Sequence, residues 1–347
     1  MKPLNNIFAT AFLAFAATAF AADNSNEADP LTRTSQSKDK VSVAIDLWPV
    51  PWTSTRPRDP DVAPDGNIWF VGQTGDYVAQ LNPKTEDFKR INLPPGTGPH
   101  NVIVDEEGIL WIAGNRQGWI GRMLPTFEDL EKIEMPDKAA GDPHTLIDNG
   151  KGKIWFTVQG GNFVGRLDKE SKEVELVKVP TANARPYGIR LDKSGRPWIA
   201  LFGTNKLATI DPESMKLTEI DLPRADARAR RLEIASNGDV WYLDYAKGYI
   251  GRYRPSDKSF KERRTPGQGR SGPYGTAMDE KDRLWFFETW QVPNRLLGFD
   301  TKTERFVSNT ALTTGRDTVR HMVYDPKNKT IWFGTDSNWI GQAKITH

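Results

Sequence analysis

Short segments of alternating hydrophobic and polar residues run along this chain, and the same pattern returns about every 43 residues. A tryptophan marks each return, at Trp69, Trp111, Trp155, Trp198, Trp241, Trp285 and Trp332. Alternation with a period of two residues predicts β-strands. A repeat of about 40–45 residues that holds several short strands is typical of a propeller blade. The pattern therefore predicts an all-β protein, a seven-bladed β-propeller.

Each repeat divides into four strands, which we name A to D from the channel outward. In the second repeat, strands are predicted over residues 101–105, 109–113, 119–124 and 130–135. The last repeat ends after its third strand, residues 339–345. Residues 41–48, followed by proline, have the pattern of a strand D. We therefore predict that this N-terminal strand closes the last blade and removes both open sheet edges.

The segment before the propeller has the features of an export signal. Lys2 precedes an apolar stretch, and Ala19-Phe20-Ala21 fits a small-x-small cleavage site. We predict a signal peptide over residues 1–21, a disordered linker over 22–40 and the propeller over 41–347. The mature protein is expected to be periplasmic or secreted. No later apolar segment is long enough to predict a membrane span.

Composition removes several classes of function. The chain has no cysteine, which excludes disulfides, thiolate zinc sites, c-type haem attachment and cysteine nucleophiles. The formal net charge is only +2, so we expect no nucleic-acid partner. The sequence contains no Gly-x-Ser-x-Gly motif, so it does not indicate a serine hydrolase.

One position of the repeat carries most of the candidate chemistry. Eleven residues before each tryptophan, just ahead of strand A, stand Arg58, His100, His144, Tyr187, Arg230, Tyr274 and His321. Every histidine except the C-terminal His347 falls at this phase. We predict that these seven residues, the ring residues, surround one mouth of the channel, where the first six bind substrate. A purely structural hydrogen-bonding ring is the alternative.

Charged residues near this phase suggest what the mouth binds. Arginines cluster beside the ring, at Arg56, Arg58, Arg185, Arg228, Arg230 and Arg320. A positive mouth favours an anionic or carbonyl-rich small molecule.

Carboxylates occur at a second phase, three residues after the tryptophan. Its occupants are Gly72, Gly114, Val158, Leu201, Asp244, Glu288 and Thr335. Because strands A and B form a hairpin, this phase is expected to face the ring. Glu288 would then pair with His321 in catalysis, or join Asp244 as a ligand of a divalent cation such as Mg²⁺. A salt bridge from Glu288 to a ring arginine is the alternative.

The repeats resemble those of the virginiamycin B lyase (streptogramin lyase) family. The matching motifs are Gly-x-(Ile/Leu/Val)-Trp-Phe, (Ile/Val)-Gly-Arg and Pro-(His/Tyr)-x-Ile, and they cover nearly all of residues 41–345. The resemblance implies a monomeric seven-bladed propeller that opens the ester of a cyclic depsipeptide by magnesium-dependent elimination. It also implies that His321 is the catalytic base. The family's metal-binding glutamate falls at Thr335 here, a departure from the pattern, whereas the preceding blade keeps Glu288.

These observations support three functions. The first is a lyase-like enzyme that opens an ester or lactone with His321 as general base. The second is a non-catalytic binding propeller that holds an anionic ligand or a partner at the same ring. The third is a metal-dependent lactonase or hydrolase.

Overall fold

The fold is a ring of seven antiparallel four-stranded sheets, seen in a computed structural model that describes residues 40–126, 129–315 and 317–346. The predicted all-β, seven-bladed propeller is confirmed. The predicted signal peptide (1–21) and the linker (22–40), apart from its last residue, lie outside the described residues. The described residues include no helix that is both long and apolar enough to cross a membrane.

Blades 1 to 3 follow the first strand along the chain. The chain begins with β1, Ser42–Pro49. Blade 1 contains β2 (Pro57–Val62), β3 (Ile68–Gly72), β4 (Tyr77–Leu81) and β5 (Phe88–Asn92). Blade 2 contains β6 (Val102–Val104), β7 (Leu110–Gly114), β8 (Trp119–Met123) and β9 (Glu131–Glu134). A 3₁₀ turn at Lys138–Ala140 leads to blade 3, with β10 (Pro143–Asp148), β11 (Lys153–Val158), β12 (Phe163–Asp168) and β13 (Val174–Lys178).

Blades 4 to 6 repeat the same order. Blade 4 contains β14 (Pro186–Leu191), β15 (Pro197–Leu201), β16 (Lys206–Ile210) and β17 (Leu217–Asp221). Blade 5 contains β18 (Ala229–Ile234), β19 (Val240–Asp244), β20 (Tyr249–Arg254) and β21 (Ser259–Arg264). A second 3₁₀ turn, Gln268–Arg270, precedes blade 6, with β22 (Pro273–Met278), β23 (Arg283–Glu288), β24 (Arg295–Asp300) and β25 (Arg305–Ala311).

Blade 7 joins the two ends of the described chain. Its strands are β26 (Val319–Asp325), β27 (Thr330–Thr335) and β28 (Trp339–Thr346), in the sheet order β1-β28-β27-β26. β1 pairs with β28 along its whole length, from Ser42 opposite Thr346 to Pro49 opposite Trp339. The predicted closure of the last blade by the N-terminal strand is confirmed.

The repeated tryptophans pack between neighbouring blades. Trp69, for example, is 1% exposed and belongs to a core cluster shared with Leu110 and Ile112 of the next blade. A buried indole N–H needs an acceptor. In three blades that acceptor is an aspartate in the turn after strand A: Trp111 donates to Asp105, Trp198 to Asp192 and Trp285 to Asp279. In these three blades the aspartate thus fixes both the turn and the tryptophan, whereas the indole N–H groups of Trp241 and Trp332 have no acceptor among the described residues.

The innermost strands are bulged where they enter the channel. One extra residue is inserted in blades 1 and 3 to 7, at 58–61, 143–146, 186–189, 229–231, 273–276 and 319–322. A β-bulge re-aims side chains and occurs often beside active sites. Each of these bulges falls at the ring phase, so local backbone geometry as well as sequence sets the ring residues apart.

Candidate active site in the central channel

Most of the ring residues form a packed layer across the channel. The ring centroids of His100 and His144 lie 3.5 Å apart, and those of His144 and Tyr187 lie 4.2 Å apart. The hydroxyls of Tyr187 and Tyr274 are hydrogen-bonded across the channel. His100, His144, Tyr187 and Tyr274 are 0–4% exposed. The structure thus brings these predicted substrate-binding residues together, but they pack against one another and expose little surface to a ligand.

The three ring histidines are held neutral. Burial lowers the pKa of His100 and His144 well below the usual value, and the nearby charge of Arg58 lowers it further. Burial, and next the charge of Arg231, does the same to His321. Each imidazole is therefore uncharged at neutral pH.

One carboxylate lies at the centre of this layer. Asp59 is fully buried, and its Oδ1 accepts a hydrogen bond from Nε of Arg58 at 3.1 Å. Its Oδ2 lies 3.6 Å from Nη2 of Arg231 and 3.8 Å from Nδ1 of His100. Burial alone would raise the pKa of Asp59, but the surrounding charges, Arg58 first, lower it to about 2. Asp59 is thus a permanent anion between two arginines.

Beyond the layer, strand A of every blade contributes to a cavity of about 440 Å³. Of the ring residues, His321 lines it. Arg190 and Glu233 line it too, joined by two hydrogen bonds of 2.9 Å each. Burial raises the pKa of Asp61 in this cavity to about 6, although two backbone N–H groups bond its carboxylate. The neutral imidazole of His321 and the carboxyl group of Asp61 therefore line one cavity, which is large enough for a small molecule.

Arginines and aromatic rings line the end of the channel where the innermost strands begin. We call this end the arginine mouth. Arg230 is half-buried, and its guanidinium carbon lies 3.9–4.8 Å from the ring centroids of four aromatic residues: Tyr187, Phe202, Tyr245 and Tyr274. Arg320 forms two hydrogen bonds with Asp336, and Arg56 lies 4.0 Å from the same carboxylate. Trp290, 44% exposed, donates its indole N–H to Tyr245. This end presents positive charge among aromatic rings.

The second sequence phase does not face the channel as expected. Side chains three residues after the tryptophan point into the blade, where they meet the first residue of strand C. A Cβ on Gly72 would lie 2.2 Å from the ring of Tyr77, and one on Gly114 would lie 2.3 Å from Trp119. The position that does reach the mouth is the next one, four residues after the tryptophan. Its occupants in five blades contact residues at the start of strand A or their neighbours: Gln73, Asn115, Phe202, Tyr245 and Asp336.

Glu288 lies away from His321. It is fully buried, and its Oε1 accepts a hydrogen bond of 2.6 Å from the backbone N–H of Gly267, in the loop from blade 5. Its Oε2 has no hydrogen-bond partner among the described residues. No hydrogen bond or ion pair joins Glu288 to His321 or to a ring arginine in the described part of the chain. The structure therefore does not assemble the predicted His–carboxylate pair.

Asp244 is also committed to local structure. Its carboxylate accepts hydrogen bonds from Arg224 and from the backbone N–H groups of Arg228, Ala246 and Lys247. Within residues 40–126, 129–315 and 317–346, no three histidine, aspartate or glutamate side chains are grouped as metal ligands. Asp244 and Glu288 as placed here do not fit the Mg²⁺ site that the sequence predicted.

A structural role for Asp244 can be tested directly. We expect Asp244→Ala to lower the free energy of unfolding by about 3 kcal/mol, because it deprives Arg224 and three part-buried backbone N–H groups of their buried acceptor. Asp226→Ala removes an exposed partner of the same arginine, 3.4 Å away, and should change stability little. Denaturant unfolding with and without MgCl₂ measures both. A magnesium-dependent stabilisation of the wild type that Asp244→Ala removes would instead restore the metal site.

Comparison with known proteins agrees with this architecture. The family model described as the virginiamycin B lyase family matches residues 30–210 and 172–346. A virginiamycin B lyase from Staphylococcus aureus has a similar structure, with a TM-score of 0.79 and 19% identity over 88% of this chain and all of that one. A streptogramin B lyase has a TM-score of 0.79 and 20% sequence identity, over 88% of this chain and 98% of that one. Kuenenia stuttgartiensis hydrazine synthase has a TM-score of 0.69 and 13% sequence identity, over 82% of this chain and 94% of that one.

These structural likenesses, all at low identity, show a shared fold. No curated protein sequence matches the chain. The family model, in contrast, spans nearly the whole propeller, including the ring residues. The chain belongs to the virginiamycin B lyase family.

Proposed function

We propose that this protein is a carbon–oxygen lyase that opens an ester or lactone in the central channel, with His321 as general base. The observation that carries the proposal is the state of His321. It is neutral, and it lines the 440 Å³ cavity. A cavity of this size suits a small molecule, and a perturbed base in a concave site is a candidate for proton transfer.

The reaction balances without water. His321 takes the proton from a carbon next to a carbonyl, and the C–H electrons form a carbon–carbon double bond. The neighbouring carbon–oxygen bond breaks, and the carboxylate leaves with its electron pair. Since Asp244 and Glu288 do not form a metal site, no step is assigned to Mg²⁺.

Three further features belong to the proposal and rest on other grounds. Export to the periplasm or medium rests on the N-terminal sequence, and a monomeric state rests on the family. A substrate with anionic or carbonyl-rich groups is favoured by the charge of the arginine mouth.

A non-catalytic binding propeller is the second candidate. It is favoured by the surroundings of Arg230, whose four aromatic neighbours form a site for an anionic or planar ligand without any catalytic group. In this case the arginine mouth would bind its ligand unchanged.

Mass spectrometry of a panel of cyclic esters separates these functions. Elimination opens a lactone to a product of unchanged mass, whereas hydrolysis adds one water. We expect a ring-opened product of unchanged mass and a new absorbance from the double bond, in the presence or absence of a chelator. A gain of one water, lost on chelation, would identify a metal-dependent hydrolase, and binding without turnover would identify the binding propeller.

A further inference from the structure

Arg231 is a buried cation without a hydrogen-bond partner. It is 1% exposed, and its Nε, Nη1 and Nη2 all lack an acceptor among the described residues. Its nearest anion is Asp59, and the 3.6 Å between Nη2 and Oδ2 is longer than a hydrogen bond. Burying a guanidinium with its N–H groups unpaired is strongly unfavourable. The Tyr187 ring, whose centroid lies 5.2 Å from the guanidinium carbon, faces this charge but offers no acceptor to its N–H groups. Among the described residues, these N–H groups therefore lack an acceptor.

Two other unpaired nitrogens lie in the same layer. Nη2 of Arg58 is buried and unpaired, although the other nitrogens of Arg58 bond Asp59 and Gln73. Nδ1 of His321 is buried and unpaired as well, and Arg231 is the charge that acts most strongly on this imidazole. Three side chains from blades 1, 5 and 7 thus have N–H groups to donate inside one channel.

The charges of this layer do not cancel. Arg58 and Arg231 are positive, and among the described residues Asp59 is the one carboxylate within 4 Å of either guanidinium. The ring histidines are neutral. One positive charge remains in a buried space. A monovalent anion would neutralise it and accept the unpaired N–H groups at once.

The fold also makes room for Arg231. A Cβ on Gly188, in the neighbouring blade, would lie 2.9 Å from the Cα of Arg231 and 3.3 Å from its Cδ. Any side chain larger than glycine there would displace the arginine. Of the three side chains, His321 alone lines the cavity, so an anion that enters from the cavity meets this imidazole first.

We propose that a small monovalent anion, of the size of chloride or formate, binds inside the propeller channel to Arg231, with Arg58 and His321 as further donors. The site does not depend on the lyase activity. If Nδ1 of His321 donates to the anion, its Nε2 is the nitrogen left to accept a proton, which orients the imidazole.

Thermal unfolding at constant ionic strength tests the site. Replacing gluconate, which is too large to enter, with chloride, bromide or formate should raise the midpoint of wild-type unfolding by about 2 °C or more. Arg231→Met, a volume-conserving change to an apolar side chain, should fold without added anion and lose the response. Arg320→Gln is the matched control, because it removes an arginine of the arginine mouth that already has an acceptor in Asp336, and it should keep the response.

Bromide also gives a direct readout on wild-type crystals. We expect an anomalous peak within hydrogen-bond distance of the Arg231 guanidinium. An ordered water there without a bromide peak would overturn the proposal, and so would an equal chloride response in the wild type and Arg231→Met. Neither readout involves turnover, so failure of the anion site and failure of the lyase function remain distinguishable.

Discussion

His321→Gln is expected to lower kcat by about 10²–10⁴-fold and to leave KM nearly unchanged, because a general base acts in the chemical step. Glutamine keeps most of the side-chain volume but cannot take up a proton. The measurement is steady-state turnover of the cyclic ester that the substrate panel identifies.

The pH profile of the wild type gives the same test a second readout. Because burial and the charge of Arg231 lower the pKa of His321, the base stays unprotonated as the pH falls. The acid limb of kcat/KM should therefore lie below pH about 6.5, the usual value for histidine. In His321→Gln this limb should be lost.

His144→Gln is the matched control. His144 is equally neutral and buried in the same layer, and its Nδ1 lies 2.9 Å from Oγ1 of Thr145. We expect the variant to weaken substrate affinity, or stability, with kcat largely kept. Normal turnover by a folded His321→Gln would rule out His321 as the base and leave the binding propeller as the function.

Removing β1 is expected to abolish cooperative folding. The strand contributes eight backbone pairs to β28, and Trp48 stacks on Trp332 with a centroid distance of 5.5 Å. Val43, Ile45 and Leu47 pack against the core shared by blades 6 and 7. A chain that begins at Val50 would lose these contacts and expose the edge of β28, which favours aggregation.

A chain that begins at Lys40 keeps β1 and is the control. Denaturant unfolding and light scattering should show a single cooperative transition for this chain, as for the full-length protein. The shorter chain should unfold over a broad range and associate. Equal stability of the two truncations would show that closure by β1 is dispensable.

The sequence was informative where one residue type has one structural role. Each repeat tryptophan must be buried between blades, so the tryptophan spacing predicted seven sheets and left one strand to be supplied by the N-terminus. The ring phase predicted that polar residues such as His100 and Tyr274 gather at the channel, because they recur there in place of small apolar residues. It did not predict that their side chains pack against one another.

The position three residues after the tryptophan does not face the ring as expected, for a reason that residue spacing cannot show. The side chains at this one position of strand B point into the blade, and the space at Gly72 is filled by Tyr77 from strand C of the same sheet. Glu288 and Asp244 follow this direction, so they bond neighbouring loops instead of the ring. The phase one residue later, with Gln73 and Asp336, had a polar and aromatic pattern that could have identified the mouth.

Arg231, Asp59 and the cavity residues were missed because bulges change the direction of strand A. In blade 5 the extra residue lets two consecutive arginines serve different places, with Arg230 among the mouth aromatics and Arg231 inside the channel. Gly188, beside Arg231, was a possible signal, since a glycine at that phase leaves space for a neighbour. A single sequence does not reveal such a bulge.

The pairing of β1 with β28 also constrains how the chain reaches its native state. The two strands join residues 304 positions apart, as between Ser42 and Thr346. Such a contact forms only after a long loop has closed, and strong dependence on distant contacts slows folding. Blade 7 cannot be completed until β28 has been synthesised, whereas the other blades use strands that are adjacent in sequence. Until then an emerging chain carries two unpaired edges, so blades 1 to 6 must wait, or be shielded by chaperones, before the ring can close.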